Sequence, residues 1–152
     1  MRIGVISDTH SLLRESATAA LAGSELIVHA GDIGAPAVLE QLGEIAPVMA
    51  VRGNIDTGAW AATLPETRVI EAAGRRLYLL HNRAQLAVDP AADGFDAVIY
   101  GHSHKPAQET VDDVLYLNPG SAGPRRFSLP IALATLTIST AGLAVTQHEL
   151  AA

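Results

Sequence analysis

The residue types with the most chemical capacity fall in five short clusters: Asp8-Thr9-His10, Gly31-Asp32, Gly53-Asn54-Ile55-Asp56, His81-Asn82 and Gly101-His102-Ser103-His104. Carboxylate oxygen, amide oxygen and imidazole nitrogen in one place suit Mn²⁺, Fe, Zn²⁺ or Ni²⁺ better than Ca²⁺ or a thiophilic ion. Asp8, His10, Asp32, Asn54, His81, His102 and His104 are the candidate ligands. Seven are too many for one tetrahedral ion. They fit two ions roughly 3.5–4 Å apart that share a carboxylate, the arrangement of two-metal hydrolases. Taken singly, each has a plainer role. Asp8 could cap a following helix, Asp32 and Asn54-Ile55-Asp56 could be turn residues, and His81 could simply end a strand. His102 and His104, one residue apart after an apolar run and a glycine, point most strongly to a metal. Turn chemistry acting independently at each place would not produce so regular a set.

The regularity lies in what precedes each cluster. Arg2–Ser7, Glu25–Ala30, Pro47–Arg52, Arg75–Leu80 and Asp96–Tyr100 are short apolar runs that read as buried strands. Ser11–Ala22 carries Leu12, Leu13, Ala17, Ala20 and Leu21 at helical spacing and stops at Gly23. Ala35–Leu42 reads as a second helix with Pro36 in its first turn. This strand–helix rhythm predicts an α/β architecture with parallel strands. Open α/β sheets bind ligands beyond the carboxyl ends of such strands, so five polar clusters there would converge. A hairpin is expected around Ala73-Gly74. The last third, with Ala107–Val111, Val114–Asn118, Ile131–Ser139 and Leu143–Leu150, reads as mostly antiparallel strands joined at Asp112-Asp113 and Ala141-Gly142. Two packed sheets with helices outside accommodate both halves, and residues 1–152 read as one domain.

Composition narrows the function. With 49% hydrophobic residues, the chain carries a core and is not intrinsically disordered. A net charge of −6 and 4% aromatic residues supply neither a basic face nor a stacking surface, which argues against a polynucleotide substrate. The absence of cysteine excludes disulfides and thiolate sites and fits the cytoplasm. The opening MRIGVISDTH has no signal-peptide pattern. No apolar run approaches the ~18 residues of a membrane span.

The clusters, in order, resemble the five motifs of the calcineurin-like metallophosphoesterases. The short length and the Asn118-Pro119-Gly120-Ser121 run are similar to the small single-domain YfcE-type phosphodiesterase subgroup. The resemblance spans nearly the whole chain. It implies a four-layer α/β/β/α sandwich of two mixed β-sheets flanked by helices. It implies a phosphodiesterase or phosphatase acting on a small-molecule phosphate ester with two divalent ions, Mn²⁺ foremost and Zn²⁺, Fe, Ni²⁺ or Mg²⁺ as others. Asp8, His10, Asp32 and His104 would hold one ion. Asp32, Asn54, His81 and His102 would hold the other, with in-line attack on phosphorus by a hydroxide bridging the two.

Two departures stand out. Many larger relatives have histidine after the motif asparagine, where it can protonate the leaving group; here that residue is Ile55, followed by Asp56. This predicts a preference for acidic leaving groups. The usual glycine after the fourth-motif histidine is Asn82, which is expected to take the same left-handed backbone. His29 reads as structural or as a residue that orients a ligand through a hydrogen bond, and His148 as a strand or surface residue. Arg125 and Arg126 read as a solvated pair or a phosphate grip. Trp60 and Leu64 could line the pocket or an oligomer contact. The alternative function is a non-catalytic metal-binding interaction scaffold of the same fold, as in a retromer subunit that lacks part of the ligand set. All seven positions are filled here, which favours catalysis. No Gly-x-Ser-x-Gly elbow, dinucleotide fingerprint or Walker loop is present.

Overall fold

Apolar side chains on both faces of the central strands are what make this chain a sandwich. In β1 (Arg2–Ile6), Ile3 and Val5 point one way and Ile6 the other, all fully buried. β2 (Leu26–His29) repeats the pattern with Leu26 and Val28 against Ile27. Strands with two covered faces belong in the middle of a layered structure. The structure, a computed structural model, describes residues 1–151; residue 152, the last of the domain expected over 1–152, lies outside them.

Two five-stranded mixed sheets pack face to face. The first has the order β10-β9-β1-β2-β3, with β3 at Val48–Ala50, β9 at Ala132–Ser139 and β10 at Gly142–Glu149. Its β1, β2 and β3 are parallel, and β9 returns antiparallel beside β1. The second has the order β4-β5-β6-β8-β7, with β4 at Thr67–Ala72, β5 at Arg75–Leu80, β6 at Ala97–Ile99, β7 at Ala107–Val111 and β8 at Val114–Asn118. Here β5, β6 and β8 are parallel and β4 and β7 antiparallel. The late strands are therefore divided. β9 and β10 extend the first sheet as an antiparallel hairpin, while β8, antiparallel to β7, also joins the parallel centre of the second, so the last third is mostly antiparallel, as expected.

Between the sheets lies a core of Ile3, Val5, Val28, Leu77, Leu79, Ile99, Leu117 and Leu136 with their neighbours. Outside the first sheet, α1 (Glu15–Leu21) and α2 (Pro36–Gly43) bury Ala17, Leu21, Val38 and Leu42 against Ile6, Ile27 and Leu133. Trp60 and Leu64, in and after the short α3 (Ala59–Ala62), pack half-buried on the same cluster, so part of their apolar surface already serves the fold. Outside the second sheet, a 3₁₀ turn (Arg83–Gln85) and its following loop put Leu86, Val88 and Phe95 over Tyr78, Val98 and Tyr116. The result is the expected four-layer sandwich, its fourth layer thin. No helix among the described residues is long and apolar enough to cross a membrane.

α1 begins at Glu15, four residues later than its periodicity suggested. The backbone from His10 to Leu12 is committed elsewhere: Ser11 N–H donates to the Ile33 carbonyl at 2.8 Å and Leu12 N–H to that of Thr9 at 2.9 Å. Those bonds hold the turn that carries His10.

Candidate metal centre

The five clusters do meet, at the carboxyl ends of β1, β2, β3, β5 and β6. Asp8 and Asp32 form the floor, buried with His81 and His104. His10 is half-buried, and Asn54 and His102 are exposed at the rim. Asp8 Oδ1 lies 3.4 Å from His104 Nε2 and 3.9 Å from both His10 Nε2 and His81 Nε2. Asp32 Oδ2 lies 3.2 Å from His81 Nε2 and 3.6 Å from His10 Nε2. His102 Nδ1 faces His81 Nε2 at 3.3 Å.

Five of these seven residues have positive φ: Asp8 at 55°, His10 at 46°, Asp32 at 55°, His102 at 72° and His104 at 63°. Left-handed backbone costs a non-glycine residue about 1–3 kcal/mol, and it persists where surrounding structure enforces it. Close packing supplies the enforcement. A Cβ on Gly101 would run into the Ser7 hydroxyl and come within 2.6 Å of Asp8 Oδ2, and one on Gly53 would strike the Asp32 amide and carboxylate. These two glycines let the β6 and β3 loops close on the floor.

Hydrogen bonds then give two of the candidates, Asp8 and His81, a tethered and a free end. Asp8 Oδ2 accepts from the Ser7 hydroxyl at 2.6 Å and the His102 N–H at 3.1 Å. Asp8 Oδ1 is left buried with no hydrogen-bond partner, as is His10 Nε2. His81 Nδ1 donates to the Ala30 carbonyl at 2.8 Å, so Nε2 faces the site and would offer its electron pair to a cation on losing its proton. The Asn54 amide puts one polar atom 3.0 Å from His81 Nε2 and 3.3 Å from each Asp32 oxygen. With nitrogen there, it would donate to them. With oxygen there, acceptors face acceptors, an arrangement that a cation stabilises. Orphaned acceptors and converging oxygen and nitrogen donors fit divalent ions.

The titration of the metal-free site carries the same message. Burial pushes the Asp8 carboxyl above its ordinary range, against the pull of Ser7 and of the His81 and His104 charges. Burial acts to raise Asp32 as well, but hydrogen bonds from His81 and the Ile55 N–H outweigh it and hold that carboxyl low. For His81, burial disfavours the cation, yet its bond to Asp32 and the Asp8 and Asp32 charges raise it. Burial lowers His104, and the Arg126 and His10 charges add to that against the attraction of Asp8. Arg126 is therefore close enough to be felt at the centre, although both arginines of the pair are exposed.

Several supporting residues were given no role in the site by the sequence. Asn118 donates from Nδ2 to the Gly101 carbonyl and the Ser103 hydroxyl, both at 3.1 Å, and accepts from the Gly120 N–H at 2.9 Å. Ser121 donates to the Asp8 carbonyl at 3.0 Å. The Asn118-Pro119-Gly120-Ser121 run thus braces the His102 loop and Asp8 together, a role that its resemblance to the small subgroup did not itself specify. Of the two roles expected for His29 the structural one holds, because it bonds backbone and Thr9 and no candidate ligand side chain. Its Nδ1 accepts from the Gly31 N–H at 3.1 Å, and Nε2 meets the Thr9 hydroxyl at 3.0 Å, which donates onward to the Ile33 carbonyl at 2.9 Å. Full burial drives its pKa down to about 3, so it is neutral and Nε2 carries the proton. Asn82 departs from expectation: its φ is −114°, and its side chain caps the 3₁₀ turn by accepting from the Ala84 N–H. His148, on β10, pairs with Thr135 of β9, away from the centre.

Beside Asn54, His81 and His102 opens a cavity of about 280 Å³, lined also by Arg52, Glu66, Thr67, Asn82 and Gln85. Arg52 and Glu66 are paired at 3.0 Å.

Residues 1–141 match the calcineurin-like phosphoesterase superfamily domain. A probable metallophosphoesterase of Methanothermobacter thermautotrophicus is 37% identical over 142 residues, spanning 86% of this chain and 82% of its own. The phosphodiesterase YfcE of Escherichia coli is 32% identical over 146 residues, spanning 80% and 79%. Among solved structures, an archaeal phosphodiesterase superposes with a TM-score of 0.82 at 23% identity, over 97% of this chain and 100% of its own. Vps29 of Chaetomium thermophilum does so at 0.76 and 19%, over 97% of each. Those two likenesses speak for the fold. The superfamily match and the two relatives above 30% identity go further: the chain belongs to the calcineurin-like metallophosphoesterase superfamily, among its small YfcE-type members.

Proposed function

We propose that this chain is a two-metal phosphoesterase, a phosphodiesterase more than a monoesterase, acting on a small-molecule ester. The observation that carries the reading is the pair of buried, unpartnered acceptors, Asp8 Oδ1 and His10 Nε2, amid five further oxygen and nitrogen donors. Asp8, His10, Asp32 and His104 would hold the first ion. Asp32, Asn54, His81 and His102 would hold the second, Asp32 being common to both; its Oδ2 lies within 3.6 Å of histidines from either set. When bound, such ions lower the pKa of a coordinated water and stabilise charge building on phosphoryl oxygens. Mixed oxygen and nitrogen donors suit Mn²⁺, with Zn²⁺, Fe, Ni²⁺ or Mg²⁺ as alternatives.

The chain's own residues would hold and aim that centre. Ser7 and the His102 N–H fix Asp8, and Ala30 fixes His81. The cavity beside Asn54 and His102 would take the organic part of the ester among walls that are polar and apolar in about equal measure. Neither residue after Asn54 is placed to protonate a departing alkoxide. Ile55 is 40% exposed and apolar, and both Asp56 oxygens are occupied by backbone N–H groups. The reading therefore extends to esters with acidic leaving groups.

The test is a hydrolysis screen of aryl and alkyl phosphate mono- and diesters with Mn²⁺, Mg²⁺, Zn²⁺ and Ni²⁺ supplied separately. Metal-dependent turnover that falls steeply as the leaving-group pKa rises is expected. Turnover of no ester with any ion would favour the alternative, a metal-binding interaction scaffold, to which the likeness to Vps29 lends its only support. The filled ligand set weighs against it.

A further inference from the structure

Asp56 sits two residues beyond Asn54, is 4% exposed, and points away from the cavity into the seam between two loops. Its Oδ2 accepts from the Ile33 N–H at 3.1 Å and the Gly53 N–H at 2.9 Å, and its Oδ1 accepts from the Gly34 N–H at 2.9 Å. Ile33 and Gly34 directly follow Asp32. Gly53 directly precedes Asn54. One carboxylate therefore gathers three backbone donors from two separate strand ends. A fourth bond runs the other way, from the Ile55 N–H to Asp32 Oδ1 at 3.1 Å. Nothing bulkier than glycine fits at position 53, because a Cβ there would strike Asp32.

We propose that Asp56 is a positioning residue that sets the gap between Asp32 and Asn54 and so determines how tightly the second ion is held. The proposal rests on the two-metal reading above. Asn54 belongs to the second proposed set alone, whereas Asp8 is held by the Ser7 hydroxyl and the His102 N–H, and the three bonds of Asp56 reach none of Asp8, His10 and His104. Loosening Asp56 therefore acts unequally on the two ions. Asp56→Asn keeps the side-chain volume, but one acceptor becomes an NH₂ that must face a backbone N–H. At least one of the three donors then loses its partner, and the two loops separate.

The experiment is calorimetric titration of the metal-stripped full chain with Mn²⁺. Wild type should bind two equivalents. Asp56→Asn should weaken one binding step by about 10–100-fold, the scale for losing a group that orients a ligand, and the other by less than about threefold. Thermal melting of the metal-free proteins is measured alongside. A purely structural role for Asp56 would lower the melting temperature and leave the spacing between the two steps as in wild type, and that result overturns the proposal. So does equal weakening of both steps. Asp56→Glu, which retains the charge but moves the carboxylate by one methylene, should show the same unequal loss and carries the comparison if Asp56→Asn does not fold. A wild-type chain that binds two ions and hydrolyses esters, with both variants binding like it, refutes the role of Asp56 alone. A wild-type chain that binds only one ion refutes the two-metal reading, and the proposal with it.

Discussion

His81 Nε2 stands 3.2 Å from Asp32 Oδ2, with the imidazole fixed from behind by the Ala30 carbonyl. Without a cation this is a proton-holding pair. Burial opposes the His81 cation, yet Asp32 and Asp8 raise its pKa above the ordinary 6.5, and Asp32 is held below its own ordinary 3.8. In the metal-free protein the His81 contribution to stability is fully present below pH 6.5 and is lost as pH rises through the raised value. The Asp32 contribution is present above 3.8 and is lost as pH falls through the lowered one.

A metal must displace the His81 proton, so affinity should rise with pH. Below the raised His81 pKa, Mn²⁺ affinity is expected to gain about tenfold per pH unit, the slope for one proton released. Calorimetry at one pH in buffers of different ionisation enthalpy counts that proton directly. Binding that is pH-independent between 6 and 8 would remove His81 from the ligand set.

The two ligand sets predict a split among variants. Asp32→Asn should spoil both ions and lower hydrolysis on the order of 10²–10³-fold, the scale of losing one charge contact to the transition state. His104→Ala should deplete the first ion and His102→Ala the second, each variant retaining about one equivalent in elemental analysis. An Asp32→Asn protein with full metal content and full activity would contradict a shared carboxylate.

Buried and neutral, His29 couples stability to acid. The gap between its ordinary 6.5 and about 3 corresponds to about 5 kcal/mol that drains away as pH falls across that interval. Denaturant unfolding of the metal-free chain at a series of pH values should show the loss. Thr9→Val should cost a further 1–3 kcal/mol or so at neutral pH, because the His29 Nε2–H loses its buried acceptor. An unchanged midpoint in that variant would mean that the relay to Ile33 is not formed.

Two glycines offer a matched pair. Gly53→Ala drives a methyl into Asp32. It should destabilise the fold by about 1–3 kcal/mol, as overpacking does, and weaken metal binding with it. Gly43 ends α2 with nothing within 4 Å of an added Cβ. Gly43→Ala should be neutral or stabilise by about 0.4–1 kcal/mol by restricting the unfolded chain. Equal melting temperatures for the two variants would show that the close approach at Gly53 is not a constraint.

How much of this was legible beforehand follows from how local each feature is. The strands that deliver Asp8, Asp32, Asn54, His81 and His102 announce themselves as apolar runs, since burial on both faces requires them, and the polar residue that ends each run is visible in the same few positions. The Ala73-Gly74 and Asp112-Asp113 hairpins were legible because their turn residues sit side by side; Ala73, Gly74, Asp112 and Asp113 all take positive φ. Residues whose role depends on a distant partner were not. Asp56 looked like a turn residue, but its partners at Ile33 and Gly34 lie 23 and 22 positions away, and the His102 N–H reaches Asp8 across 94. The late start of α1 has the same origin, since Ser11 N–H is bonded to the distant Ile33 carbonyl, whereas Asn82 is extended because it caps the 3₁₀ turn that follows it. Sequence alone therefore determined which atoms were available to hold metal and on which strand end each one sits. Tertiary structure decided which oxygen of Asp8 and which nitrogen of His81 is tethered and which is left free, because only packing of the strand ends brings the His102 N–H and the Ala30 carbonyl within hydrogen-bond range.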